Sequence, residues 1–259
     1  MQLTYLGSNS WLWQWEDLNI LVDPWLVDDL VFSNLTWLFR GIRQEKPPQL
    51  PERIDLILLS QGLEDHAHKP TLKMLDKSIP VVGSPNAAAV AEDLGYETVT
   101  SLPHGETYTL QEKIEIRALP GAPIGLDQEN AYLLTALRPQ QRLYYEPHGF
   151  PPEAVQEYSP VDVVINPIVN LEFPLSLPLI NGRESAIQLA EWLKPQAIIG
   201  TAAGGKIDFE GVLLSLLKAK GSAEELRSHL QQHHLNTKII EPQQGEPITL
   251  LEQETEVHQ

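Results

Sequence analysis

The chain is predicted to be an α/β protein of four layers, an αββα sandwich in which two sheets pack back to back with helices outside. Paired strands come first and strand–helix alternation follows, as that layering requires. Many strand segments are apolar on both faces, as expected of sheets covered by helices. A length of 259 residues suits one large core, so a single domain over 1–259 is expected, with an apolar rim insertion at 25–51.

From the N terminus, Trp11, Trp13 and Trp15 alternate with Leu12, Gln14 and Glu16, a period of two that makes one strand face aromatic. That face is expected in the core. Strands are read at NILVD (19–23), DLILLS (55–60), PVVGS (80–84), KIEIRAL (113–119), AYLLTAL (131–137), RLYYE (142–146), DVVIN (162–166), QAIIG (196–200) and TKII (237–240). Helical periodicity is read at Lys69 to Asp76, Asn86 to Leu94, Glu184 to Leu193, Phe209 to Lys218 and Ala223 to Gln232. Two connections stand out. Trp25 to Pro51 carries Trp25, Trp37 and Phe39 among many apolar residues and ends in EKPPQLPE, while Val169 to Ile180 carries Phe173 and two prolines that bar it from an inner strand. If both cover one rim they wall an apolar pocket, with Trp25, Trp37, Phe39 and Phe173 binding a small or apolar ligand; the other reading packs them on each other or on a partner subunit.

Composition narrows the function. Thirty-five acidic against 18 basic residues give a formal charge of −17, which repels phosphate backbones and anionic membranes, so no nucleic-acid partner is expected. The absence of cysteine removes disulfides, thiolate catalysis and cysteine-rich zinc sites. No apolar run approaches the roughly 18 residues of a membrane span. Met1 runs straight into strand-like MQLTYLG without a basic region or apolar core, so a cytoplasmic location is expected.

The segment that bears on chemistry is LILLSQGLEDHAHKPTL (56–72). With the opening MQLTYLGSNSWLWQWEDLNILVDPWL, which ends in Asp23-Pro24-Trp25-Leu26, it resembles the metallo-β-lactamase superfamily, in the branch of L-ascorbate-6-phosphate lactonase-like proteins. The resemblance covers nearly the whole chain and implies the metallo-β-lactamase-like sandwich. Laid on these residues, the family's H-x-H-x-D-H signature puts Gln61 and Leu63 at its first two histidines and Asp65 and His66 at its last pair. The histidine expected in ALPGAPIG, near Pro120 to Pro123, is missing; the bridging-aspartate motif resembles RLYYEPHG, which brings in His148 and Glu146; and Thr201 and Ala202 stand where the last histidine would lie.

A two-zinc site cannot be built from these residues, because zinc takes about four nitrogen, sulfur or carboxylate donors. Asp65, His66 and His148 remain as candidate ligands of one divalent ion, zinc, manganese or iron, with Glu64, His68 and Glu146 in reserve. On that reading the chain hydrolyses an ester, lactone or phosphoester, and Glu146 or Glu64, with Asp65 beside the ion, handles the proton. The opposing reading makes Asp65 a helix cap and His66 a structural residue of a non-catalytic ligand- or partner-binding protein. A homo-oligomer is compatible with both. GTAAGGK (200–206) lacks the Ser or Thr of a phosphate loop at Ile207, His229, His233 and His234 read as a solvated helix end, His104 as a turn residue, and Ser60 with His66 as a remote nucleophile pair.

Overall fold

The computed structural model describes residues 1–250 apart from 125–126, 139, 175–176 and 203; the last stretch of the expected domain, 251–259, lies outside the described residues. Two seven-stranded sheets face each other. The first runs in the order Pro247–Thr249, Gln2–Gly7, Ser10–Trp15, Leu18–Val22, Leu56–Leu59, Val81–Gly83, Val99–Ser101. In the second the order is Lys238–Ile240, Ala197–Ile199, Val163–Ile165, Gln140–Tyr145, Asp127–Leu137, Ile114–Ile124, Thr107–Leu110. In each, an antiparallel half gives way to a parallel half, from Leu18–Val22 outward in one and from Gln140–Tyr145 outward in the other.

Three clusters hold these layers. Between the sheets lie Trp11, Trp13, Trp15, Ile20, Leu58, Ile116, Tyr132 and Tyr145, so the aromatic strand face does point into the core. Outside the first sheet, helices α1 (Lys69–Met74) and α2 (Pro85–Asp93) contribute Leu72, Ala87 and Ala91 against Leu21, Ile57 and Val81. Outside the second, α3 (Gly182–Leu193) buries Ala186, Leu189 and Leu193 against Leu133 and Val164. Small residues on the inner faces of these helices let them approach the sheets closely.

One expected helix is much shorter than its pattern. Of Phe209 to Lys218 only α4 (Val212–Leu216) is helical, flanked by strands Ile207–Glu210 and Lys218–Lys220. Gly211 sets the boundary: its φ is +120°, and a Cβ there would lie 2.4 Å from the Leu38 carbonyl oxygen. Phe209 is instead drawn into a strand opposite Gly41, so tertiary pairing overrides local periodicity. The remaining helix, α5 (Ala223–Gln232), starts at Ser222, whose hydroxyl accepts from the Glu225 amide.

The two rim segments form two small sheets. Within 25–51, strand Arg40–Arg43 pairs with Leu30–Val31 on one side and with Ile207–Glu210 on the other, and Phe39 stacks between Phe32 and Phe209 at 5.2 and 5.6 Å. Asn170–Phe173 and Leu177–Asn181 form a hairpin joined by Lys218–Lys220. Among the described residues no helix is long and apolar enough to cross a membrane.

The inter-sheet core depends on its tryptophans. Trp13 is fully buried and meets Tyr145 edge to face at 5.4 Å. Trp13→Ala is expected to lower stability by about 3–5 kcal/mol, read by urea unfolding; a loss below about 1 kcal/mol would show that this layer can collapse around the gap.

Candidate metal centre

Parallel strands that end together place their following loops together, which is why ligand sites collect at the carboxyl ends of such sheets. Asp23 follows Leu18–Val22, Ser60 to His66 follow Leu56–Leu59, Glu146 and His148 follow Gln140–Tyr145, and Thr201 follows Ala197–Ile199. The Leu63 carbonyl accepts from the amides of His66 (3.0 Å) and Ala67 (2.7 Å). This tight turn buries His66 and leaves Leu63 42% exposed, so Leu63 occupies the position of an imidazole without facing the centre.

Asp23 is the anchor. It is fully buried; its Oδ1 accepts from the Ser60 amide, and its Oδ2 from the Ser60 and Tyr145 hydroxyls, each at 2.7 Å, and from His66 Nδ1 at 2.8 Å. The opposite ring nitrogen, His66 Nε2, lies 3.2 Å from Asp65 Oδ2. Burial pulls the His66 pKa down, but the charges of Asp65 and Asp23 and their hydrogen bonds outweigh it and hold the group well above its ordinary value. Both ring nitrogens of His66 thus face an aspartate, Nδ1 toward Asp23 and Nε2 toward Asp65. Burial pushes Asp65 up, and the charge and hydrogen bond of His66, aided by His148, bring it below the usual carboxylate range.

The second histidine repeats the pattern. His148 Nδ1 is 2.9 Å from both oxygens of Glu129, a buried carboxylate that also accepts from the Ala122 amide at 3.1 Å. Glu129 reaches this point because the pairing of Ile114–Ile124 with Asp127–Leu137 shifts register between Pro120 and Pro123, and a bulge re-aims the side chain opposite it. It occupies the space facing ALPGAPIG: a Cβ on Gly121 would come 2.7 Å from Glu129 Cγ. Burial raises Glu129, yet the charge and hydrogen bond of His148 keep it low. Its neighbour Glu146 goes the other way. Burial, then the charge and hydrogen bond of Glu129, raise it well above a normal carboxyl despite amides donated by Phe150 and Gly149.

Both histidines thus turn Nδ1 to a buried acid. Their rings stand 5.1 Å apart, and one donor atom each of Asp65, His66 and His148 lies within 4.8 Å of the others. Asp65 Oδ1 is buried without a hydrogen-bond partner. Two imidazoles and one carboxylate, whose Oδ1 is orphaned, fit one divalent ion, and an acid behind each imidazole is the arrangement that orients metal-binding histidines.

The other expected residues fall elsewhere. Glu64 is taken up by the rim insertion, its Oε1 accepting from the Ser33 amide at 3.0 Å. The cap of α1 is His68 rather than Asp65: His68 accepts from the Thr71 amide and its other ring nitrogen meets the Asp29 carbonyl at 3.4 Å. Trp25 is fully buried, its indole N–H bonded to the Asp28 carbonyl and its ring 4.5 Å from the Arg43 guanidinium, so it packs the insertion and presents no face to a ligand. Trp37 is 63% exposed. Phe39 is packed in the aromatic stack, and Phe173 closes the second rim hairpin opposite Leu177. His104 braces the Glu129 carbonyl at 3.0 Å. Thr201 Oγ1, at the last histidine's position, accepts from the Trp11 indole at 3.0 Å. Ser60 and His66 do touch, at 2.8 Å, but through the same Nδ1 that faces Asp23; in a nucleophile triad the serine and the acid use opposite ring nitrogens.

Sequence reasoning passed over Asp23, Glu129 and Tyr145 as parts of the centre, and Asn9, whose Nδ2 lies 3.3 Å from His66 Nε2. Asp23 was visible at a strand end, and Glu129 as an acid opening an otherwise apolar strand. Asp23→Asn, which takes the charge from a buried carboxylate that gathers Ser60, His66 and Tyr145, is expected to cost about 3–5 kcal/mol of stability; a loss under about 1 kcal/mol in urea unfolding would mean that the network re-forms around the amide.

Residues 2–202 match the family model of the beta-lactamase superfamily domain. Among solved structures, the chain is similar to an isothiocyanate hydrolase from Delia radicum gut bacteria, with a TM-score of 0.74 at 17% identity, covering 97% of this chain and 100% of that one. It is also similar to a possible metal-dependent hydrolase from Veillonella parvula, with a TM-score of 0.71 at 14% identity over 96% and 99% of the two chains. A third likeness is to a metallo-β-lactamase fold protein from Bacillus subtilis, TM-score 0.59, 14% identity, over 96% and 99%. No curated protein sequence matches. The chain belongs to the beta-lactamase superfamily, in its metallo-β-lactamase fold.

Proposed function

We propose that this protein is a metal-dependent hydrolase of the lactonase-like branch, working with one divalent ion held by His66, His148 and Asp65 on a small ester, lactone or phosphoester. The observation that carries the reading is the pair of imidazoles whose Nδ1 atoms are locked on Asp23 and Glu129 beside the free Oδ1 of Asp65. Hydrolase names among the similar folds support the reaction class. A divalent ion in such a site supplies Lewis-acid polarisation of a carbonyl or phosphoryl oxygen and makes water nucleophilic near neutral pH. Zinc, manganese and iron all suit two imidazoles and a carboxylate.

The chain's own residues have separable tasks. Asp23 and Glu129 orient the imidazoles. Asp65, with Oδ2 on His66 and Oδ1 unpartnered, completes the donor set for the ion. Glu146, kept neutral by burial and by Glu129, holds the Gly149 and Phe150 amides and so shapes the turn that carries His148. An acidic chain without cysteine suits a cytoplasmic setting and a substrate other than nucleic acid.

The test is elemental analysis of the full chain purified without chelator, then offered zinc, manganese or iron. About one ion per chain is expected, falling severalfold in His148→Ala and Asp65→Asn. Less than about one tenth of an ion, without uptake on addition, would remove the hydrolase reading.

A partner-binding role for the rim has its own support. Leu35, Trp37, Phe209, Val212 and Leu216 are all exposed, and the Val212 amide bonds to the Trp37 carbonyl at 3.0 Å, so the two segments form one apolar surface, suited to a second copy or an apolar ligand. Trp37→Ser is expected to reduce apolar-dye binding while changing stability by no more than about 0.5 kcal/mol; unaltered dye binding and an unaltered sedimentation profile would count against this surface.

A further inference from the structure

Helix α5 lies outside the second sheet, fastened there by its buried Ala223, Leu226 and Leu230. It ends in His229 and His233, four residues apart, a spacing that sets both side chains on one face with Cβ atoms about 5–6 Å from each other. The two rings meet. Their centroids are 4.3 Å apart and their planes differ by 25°, and the His233 amide donates to the His229 carbonyl at 3.1 Å, which holds the last turn in place. His229 is half-buried and His233 exposed, so an ion can reach both from solvent.

Two imidazoles on successive turns of one helix face are spaced to chelate. An ion bonded to each at about 2.0–2.1 Å keeps the two donor nitrogens within about 4.2 Å of one another, a span close to the observed ring separation. Little rearrangement is needed. The place itself favours a cation, because the last carbonyls of a helix are unpaired and carry partial negative charge, and the chain as a whole has a formal charge of −17. Arg227, the cation on this helix, is engaged by Glu241 at 2.9 Å and Glu224 at 3.6 Å. His234 stands apart from the pair: its φ is +55°, and it lines a groove with Leu235 and Lys238.

We propose that His229 and His233 form a surface site for a divalent transition-metal ion, separate from the central donor set, which clamps the last turn of α5. Imidazole suits copper, zinc and nickel, and among first-row divalent ions copper(II) binds a given nitrogen site most tightly. Water completes the coordination. Two protein donors hold an ion less firmly than three, so this one exchanges and is read at equilibrium rather than after desalting. The site does not depend on whether His66, His148 and Asp65 hold an ion.

The experiment titrates the full chain carrying His148→Ala, in which the central donor set is broken, with copper(II), followed by electron paramagnetic resonance and by thermal unfolding. Bound copper coupled to two imidazole nitrogens is expected, together with a rise in unfolding temperature, since an ion that binds only the folded helix stabilises it. Adding His229→Ala or His233→Ala is expected to weaken copper binding by about tenfold or more, because a single imidazole loses the gain of the linked pair, and to remove the temperature rise. Adding His234→Ala is expected to change neither. Should His148→Ala fail to fold, the same three substitutions are compared in the otherwise unaltered chain, where the first two are expected to lose one copper ion per chain and the third none. Copper binding that survives His229→Ala or His233→Ala unchanged, that His234→Ala weakens equally, or that is missing from the parent chain overturns the proposal.

Discussion

Asp23 is the residue on which the centre depends. Four donors from three residues, the Ser60 amide and hydroxyl, His66 Nδ1 and the Tyr145 hydroxyl, converge on its two oxygens in a place closed to water. Hydrogen bonds to a buried charge are strong because nothing else can serve it, and leaving any of these groups unpaired would cost more than the bond itself contributes. The result ties the first sheet to the second through Tyr145 and aims His66 Nε2 at Asp65. Asp23 itself adopts a φ of +41°, an uncommon conformation for a side-chain-bearing residue, and strain of that kind gathers at functional sites.

Around this anchor, several positions of the superfamily's ligand pattern have been refitted. Thr201 receives the Trp11 indole, Glu129 fills the space facing Gly121, and Leu63 is turned outward by the bonds its carbonyl accepts. A site that had only decayed would leave cavities and unpaired groups at each lost imidazole. Here Thr201 is hydrogen-bonded, whereas Gln61 Oε1, Asp65 Oδ1 and Glu146 Oε1 are buried without a partner.

The rim insertion is fastened to the same loop. Glu64 accepts from Ser33, His68 meets the Asp29 carbonyl, Thr71 accepts from the Leu26 amide, and Arg43 reaches the carbonyls of Leu6 and Trp25 while stacking on the Trp25 ring. Burial pulls the pKa of Arg43 down to about 10, still charged at neutral pH. A guanidinium bonded to backbone carbonyls fixes where the insertion leaves the sandwich.

The layering and the inward tryptophans were legible in the sequence, because alternation is a local property that survives into any fold burying those faces; the gathering of Asp65, His66 and His148 was legible only through the family resemblance. The roles of Asp23, Glu129 and His68 were not. Each depends on a partner brought close only by packing: Asp23 on Tyr145 of the other sheet, Glu129 on a bulge that turns it toward His148, His68 on the rim insertion. The shortened α4 has the same origin, since a residue's periodicity does not record that Gly41 will pair with Phe209. Period and composition decided which faces are buried; the tertiary structure decided which buried acid meets which imidazole, because hydrogen bonds are short and directional and their partners here lie far apart along the chain.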